Sequence, residues 1–154
     1  MLKTVQSLFN GFLGAVSVTS IEFPATQVPS SNPNTLDDYE EGTWTPSIGR
    51  SSTFGTYTPG VLDGGAYTKI GNVVYFSGRA DGSSSGASGG VWVVRGLPFP
   101  TVNNASIGRG PCLIIENDVT LSNSRIMQGT NDIQAPTLVD TAATRYFSGF
   151  YYIS

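Results

Sequence analysis

The chain has 154 residues, of which only 12% are charged, and its formal net charge is −3. This length predicts one compact domain with a short appendage, and the sparse, unclustered Lys and Arg residues exclude nucleic-acid binding by phosphate neutralisation. The absence of histidine excludes a Ser-His-Asp triad and the common Cys/His zinc sites.

Residues 1–22 are predicted to be an N-terminal attachment segment, helical or extended. Apolar side chains recur there at spacings of three and four, which places them on one helical face. They are Leu2, Val5, Leu8, Phe9, Phe12, Leu13 and Val16. This face docks on a partner or packs on the chain's own domain, and the pattern fits both. No stretch reaches the ~20 apolar residues of a membrane span, so membrane insertion is not expected.

Residues 23–42 are predicted to be an extended acidic linker. Pro24, Pro29 and Pro33 resist helix formation, and the run 37–42 carries four carboxylates. We expect this run to be a solvated or partner-facing acidic turn. The alternative, a hard-cation site, lacks the spacing of an EF-hand loop, and no metal site is predicted.

Residues 43–154 are predicted to form an all-β knob of short strands and turns. The strand candidates are 43–48, 66–70, 73–78, 91–94, 112–116, 125–128 and 146–153. Gly71-Asn72 between two of them suits a two-residue type II′ hairpin turn. The prolines in 96–100 cannot donate to a ladder, so we expect the chain to leave the sheet there.

Two other segments allow more than one interpretation. The tract 82–90, rich in Gly and Ser, is long for a hairpin connection and is either a mobile tip loop or a slack link. Cys112 lies in an apolar run, which favours a buried, inert thiol over a catalytic one, because no histidine is present to activate it.

Aromatic residues are abundant, above all in the closing stretch 146–153. Exposed rings beside Asn and Asp side chains can hold sugars, but most such rings fill a core or a subunit interface. Aromatic residues on both faces of the last strand predict burial on both sides, by a central position in the sheet or by a subunit contact.

Four segments then carry a family resemblance: 23–27, 34–46, 67–79 and 96–99. The string Asn-Thr-Leu-Asp-Asp-Tyr-Glu-Glu-Gly-Thr-Trp-Thr-Pro is the most specific of them, and Tyr-Thr-Lys-Ile-Gly is less so. In this order they resemble the C-terminal module of tailed-bacteriophage tail fibres, tail spikes and related head-fibre proteins. The resemblance covers residues 23–100, with a looser match in the closing aromatic strand.

The resemblance implies a homotrimeric, antiparallel, jelly-roll-like β-sandwich knob in the virion, at the particle surface or on the tail, made in the cytoplasm of a bacterial host. The expected role is a short appendage or tail-fibre-like knob that mediates attachment to the host surface. The alternative is a capsid decoration, head-fibre or tail accessory protein with a purely structural role. Because few residues precede the matched stretch, we expect the knob to be held close to the particle.

Under this resemblance, the apolar face within residues 2–16 is the candidate element for docking on other virion proteins (capsid, portal or tail). The candidate subunit-interface residues are Tyr39, Trp44, Tyr146, Phe150 and Tyr152. A host-surface glycan or protein is the further expected partner, although the sequence assigns no receptor-binding residue. No enzymatic activity and no cofactor are expected.

Overall fold

The structure, a computed structural model, describes residues 38–117, 119–120, 123–135 and 143–153, together with residues 19, 20 and 22. This part of the chain is all-β without a helix, and each strand pair is antiparallel. The predicted all-β antiparallel class is therefore confirmed. Except for residues 19, 20 and 22, the predicted attachment segment lies outside the described residues, as do residues 23–37 of the predicted linker.

The strands are short and follow one another closely along the chain. In order they are β1 (Tyr39–Trp44), β2 (Ser47–Arg50), β3 (Thr56–Thr58), β4 (Gly64–Ile70), β5 (Val73–Ala80), β6 (Ser83–Ser85), β7 (Trp92–Arg95), β8 (Cys112–Glu116), β9 (Val119–Thr120), β10 (Arg125–Ile126), β11 (Asp132–Gln134) and β12 (Arg145–Tyr152). They form a six-stranded sheet in the order β1-β4-β5-β12-β8-β9, a four-stranded sheet in the order β10-β11-β7-β2, and the pair β3-β6. The two central strands of the large sheet, β5 and β12, are also the longest.

One hydrophobic core holds side chains from both larger sheets. The six-stranded sheet contributes Trp44, Val74, Phe76, Ile114, Phe147 and Tyr151, and the four-stranded sheet contributes Ile48, Trp92, Val94, Ile126 and Ile133. Because successive strand residues point to opposite faces, burying one face of the six-stranded sheet leaves its other face directed outward.

The β4–β5 hairpin confirms the predicted turn at Gly71-Asn72. Ile70 pairs with Val73, so the loop has two residues, and Gly71 has φ +57°. Asn72 is not among the described residues with positive φ. A type I′ turn has a positive φ at both central residues and a type II′ turn only at the first, so this turn is type II′. Glycine at position 71 is therefore required by the turn itself.

The predicted boundary between linker and knob at Thr43 falls inside β1. Residues 39–42 pair with β4 in continuous register from Tyr39↔Ile70 to Gly42↔Tyr67. This part of the acidic run is therefore an edge strand and not a turn. The strand predicted over 43–48 is interrupted at Thr45-Pro46, because proline lacks the N–H that a ladder requires.

Two other predicted elements also change. The tract 82–90 is partly ordered as a strand, since β6 pairs with β3 and Ser88 bridges Thr53. The strand predicted over 125–128 is shorter than expected: it ends at Ile126, the Met127 amide N–H still donates across to the Asp132 carbonyl at 2.9 Å, and the chain turns at 128–130. The strands predicted over 91–94, 112–116 and 146–153 are confirmed as β7, β8 and β12, each within one residue at either end.

Candidate interaction surface

The outward face of the six-stranded sheet is the most unusual surface in the described part of the chain. On β5 and β12 the inward side chains are buried, whereas Tyr75, Tyr146 and Phe150 point outward and are exposed. We call this surface the outer face. It is a tightly hydrogen-bonded platform, because β5 and β12 are paired along their whole length.

Aromatic rings from neighbouring strands form a cluster on the outer face. Tyr75 lies directly opposite Phe150, with ring centroids 6.0 Å apart, and Phe150 contacts Tyr152 edge-on at 6.4 Å. Tyr75 is nevertheless 51% exposed. Phe150 is 37% exposed, so although cross-strand aromatic pairs stabilise the sheet modestly, the cluster still leaves apolar ring surface available to a partner.

A shallow depression of about 410 Å³ lies beside this cluster. Small residues of the central strands, Ser77 and Ser148, line it together with the apolar side chains of Leu113, Ile115 and Tyr146. Leu113 and Tyr146 are both exposed. The depression therefore presents apolar walls on a face where the neighbouring side chains are too small to fill it.

The charge beside the depression is neutralised within the protomer. The Arg79 guanidinium lies 2.9 Å from the Asp81 carboxylate and 5.8 Å from the centre of the Tyr146 ring. A partner that covers the depression would consequently bury a cation that already has a counter-ion, which costs less than burying an isolated charge.

The described carboxylates of the acidic run each have a partner. Asp38 is buried and forms an ion pair with Lys69, which is also buried. Glu40 accepts a hydrogen bond from the Tyr67 hydroxyl at 2.5 Å, and this bond raises the pKa of Tyr67 to about 12. On the outer face, the Tyr39 hydroxyl donates to Glu41, which raises the pKa of Tyr39.

These partners explain why the acidic run joins the sheet instead of forming a solvated turn. The ion pair and the hydrogen bond from Tyr67 connect the acidic run to β4, and the hydrogen bond from Tyr39 lies within β1. Together these contacts engage the carboxylates that a cation would need. In the described residues no three His, Cys, Asp or Glu side chains are grouped in a way that could hold a metal ion. Nor does this part of the chain contain a helix long and apolar enough to cross a membrane.

A second unusual feature is the turn that joins β3 to β4. Val61 and Leu62 at its tip are 99% and 58% exposed. We call residues 59–62 the apolar tip. Sequence reasoning overlooked it, although two aliphatic residues between Pro-Gly and Asp-Gly-Gly are a recognisable signal of an apolar turn.

The base of the apolar tip is held by hydrogen bonds around Asp63. One carboxylate oxygen accepts from the Tyr57 hydroxyl at 2.5 Å, and the other accepts from the Asp81 backbone N–H at 2.6 Å. Burial raises the pKa of Tyr57, and its hydrogen bond to Asp63 raises it further. Burial acts to raise the pKa of Asp63, but the bonds from Tyr57 and Asp81 outweigh it and the pKa is lowered.

The predicted interface residues separate into two groups. Tyr39, Tyr146, Phe150 and Tyr152 all point outward from the large sheet. Trp44 instead lies in the protomer's own core, 5% exposed, and its indole N–H donates to the Ser77 carbonyl at 2.9 Å. We therefore leave Trp44 out of the interface proposed below. The predicted docking residues within 2–16 lie outside the described part of the chain.

Cys112 points toward the core, where burial raises the pKa of its thiol to about 12. A thiol with so high a pKa is a poor nucleophile at neutral pH. The apolar run had predicted a buried side chain, whereas the side chain of Cys112 is partly exposed. Its position still fits packing better than chemistry.

Comparisons of the chain with protein-family models, curated proteins and solved structures return no match. The site is therefore interpreted from its own geometry.

Proposed function

We propose that this chain is a virion structural protein, a short appendage or tail-fibre-like knob that assembles as a homotrimer and mediates attachment to the host surface. The proposed fold is a jelly-roll-like β-sandwich, built from the two larger sheets on either side of the common core. The outer face carries this proposal, because a protein that acts alone has little reason to expose an aromatic sheet surface.

The size of the outer face supports an assembly role. Strands β1, β4, β5, β12 and β8 have five to eight residues each, and at a spacing of about 4.8 Å and a rise of about 3.4 Å per residue they cover roughly 550 Å². The largest apolar patch on a typical monomer is about 300–600 Å², and a stable interface buries about 800 Å² on each partner. The outer face lies at the upper end of the first range and supplies about two thirds of the second value, so an interface with another protein would include this face and extend beyond it.

Two of the segments that carry the family resemblance are neighbours in the six-stranded sheet. Residues 39–44 of the acidic string form β1, and the segment 67–79 forms most of the β4–β5 hairpin, whose first strand pairs with β1. Two segments that are about thirty residues apart along the chain are thus neighbours in one sheet. Their adjacency supports a common structural purpose, which we propose is subunit assembly in the virion.

A binding role fits the described carboxylates better than a catalytic one. Glu116 is buried in an ion pair with Arg145, and Asp63 is engaged by Tyr57 and the Asp81 amide. General acid–base catalysis needs a carboxyl group that can reach a substrate proton, and these groups already have structural partners. We therefore propose that the knob binds host-surface glycan or protein without modifying it.

Light scattering of the purified full chain at micromolar concentration tests the assembly. We expect a trimer mass for the natural chain and a monomer mass for the double variant Tyr75→Ser/Phe150→Ser, which removes the aromatic pair of the outer face. Ile107 is also an exposed aliphatic residue but lies outside this face, so Ile107→Ser is the matched control and should stay trimeric. A monomeric natural chain would contradict the trimer.

Two further measurements test the place and the role. Immunogold labelling should find the protein on the phage particle, and its absence from particles would contradict the proposal. The purified trimer should also bind host cells. A particle-bound trimer that binds no host cell across a panel of strains would support the purely structural alternative and overturn the attachment role.

A further inference from the structure

The apolar tip, residues 59–62, exposes two large aliphatic side chains at the end of a turn. Burying a Val or Leu side chain against another apolar surface is favourable because it removes apolar area from water. Val61 is almost fully exposed in the protomer, so nearly all of this free energy is available to a partner. A single exposed aliphatic residue is ordinary, but two at one turn tip form a compact apolar protrusion.

The protrusion is preorganised. The Asp63 backbone N–H donates to the Gly60 carbonyl across the turn at 3.3 Å, and the Asp63 carboxylate is held from two sides at its base. The Gly82 backbone N–H also donates to the Tyr57 hydroxyl at 3.2 Å. Because the turn is already ordered, docking it in a partner loses less conformational entropy than ordering a free loop would.

A matching cavity is present on the same chain. The depression on the outer face has apolar walls at Leu113, Ile115 and Tyr146, and Gly64 at its edge follows directly on the base of the tip. Val61 does not fill this depression in its own protomer, since its side chain is 99% exposed. Residues 59–62 carry no charge. Among the described residues that line the depression, Arg79 alone is charged, and it is paired with Asp81.

We propose that the apolar tip of one copy inserts into the outer-face depression of a neighbouring copy. This inference rests on the self-association in the proposed function and names the contact that produces it. The partner is a second copy because the apolar protrusion and the apolar depression are on the same chain and need no charge from outside, and because the outer face supplies about two thirds of the area of a stable interface, which leaves area for the tip to add. A contact between two different patches of identical chains is heterologous and closes into a ring when the rotation between copies allows it.

Substitution tests the energetic part of this contact. The double variant Val61→Ser/Leu62→Ser changes two exposed side chains, so the fold of the protomer should be preserved. Its dissociation constant, measured by sedimentation, should rise at least tenfold, which corresponds to about 1.4 kcal/mol. The matched control Ile107→Ser should leave the constant unchanged. An unchanged constant for the tip variant would overturn the proposal.

Cross-linking tests the geometry. Two differently tagged chains, one with Leu62→Cys and one with Leu113→Cys, are co-expressed with Cys112→Ala in both and treated with a short thiol-reactive cross-linker. We expect a covalent product that joins the two tags, and no such product when Ile107→Cys replaces Leu62→Cys. An intact trimer without the product would overturn the inserted tip while leaving the proposed function standing. The product in a dimer would retain the contact and contradict the homotrimer.

Discussion

The buried ion pair between Glu116 and Arg145 offers the sharpest test of how this fold is stabilised. The Arg145 Nε–H donates to Glu116 Oε1 at 2.8 Å, and the two side chains are only 4% and 3% exposed. Arg145 also donates to the Ala143 carbonyl at 3.1 Å. The proposed perturbation replaces each charged residue by an apolar one of similar size, as Glu116→Leu, as Arg145→Met, and as both together.

Each single substitution leaves one buried charge without its counter-ion. Breaking a buried pair in this way costs about 3–5 kcal/mol, whereas replacing both members by apolar residues is often neutral. For a unit of roughly a hundred residues, a loss of that size lowers the melting temperature by about 15 °C. We therefore expect both single variants to be strongly destabilised and the double variant to lie within about 1 kcal/mol of the natural chain.

Thermal and urea unfolding, followed by circular dichroism at fixed protein concentration, measure these differences. The control is Asp132→Asn, which removes the charge of an exposed pair, where Arg95 Nε lies 3.5 Å from Asp132 Oδ2. That change should cost no more than about 1 kcal/mol. Single variants that lose less than 1 kcal/mol, or a double variant as unstable as the sum of the two, would refute the reasoning.

Three further predictions concern single side chains. Gly65→Ala should lower the free energy of unfolding by about 1–3 kcal/mol and shift the tryptophan fluorescence, because the new Cβ would lie 2.7 Å from Trp44 Cε2. The control Gly64→Ala, whose Cβ would have no atom within 4 Å, should be nearly neutral in urea unfolding. Burial raises the pKa of Tyr151 to about 12, above its unfolded value near 10, so its contribution to stability should be complete below pH 10 and be lost from pH 10 to 12. In Tyr151→Phe the melting temperature should fall less steeply over this pH range. An unchanged slope of melting temperature against pH would contradict the assignment. Burial also raises the pKa of the Cys112 thiol to about 12, which lowers the fraction of reactive thiolate at pH 8. A maleimide should therefore label Cys112 roughly a thousandfold more slowly in the folded chain than in urea. Equal labelling rates would refute the inward placement of this side chain.

Local sequence rules located most of the strands. The Gly71-Asn72 turn needs only the conformational freedom of glycine, and the period-two alternation of residues 146–153 places aromatic side chains on both faces of a strand. That pattern predicted burial on both sides, by a central position in the sheet or by a subunit contact; β12 is a central strand, but Tyr146 and Phe150 on its outward side are exposed in the protomer. These features depend on neighbours within a few residues, which is why the sequence alone sufficed.

Errors arose where a partner lies far along the chain. The acidic run was interpreted as linker and turn because four carboxylates in sequence favour solvent, yet Asp38 pairs with Lys69 and Glu40 with Tyr67 across a strand ladder. Residues 83–85 were interpreted as part of a loop because Ser and Gly lack strand propensity, but they pair with β3. Long-range hydrogen bonds and ion pairs override weak local preferences.

The sequence by itself determined the all-β class, the tight hairpin, and which side chains share a face of each strand, because these follow from backbone sterics and a two-residue period. Only the tertiary structure decided which face would be buried. It placed Trp44 in the core against Gly65 and Gly78, and it left Tyr75 and Phe150 outside. The physical reason is that burial depends on the packing of one sheet against another, and no local pattern specifies that packing.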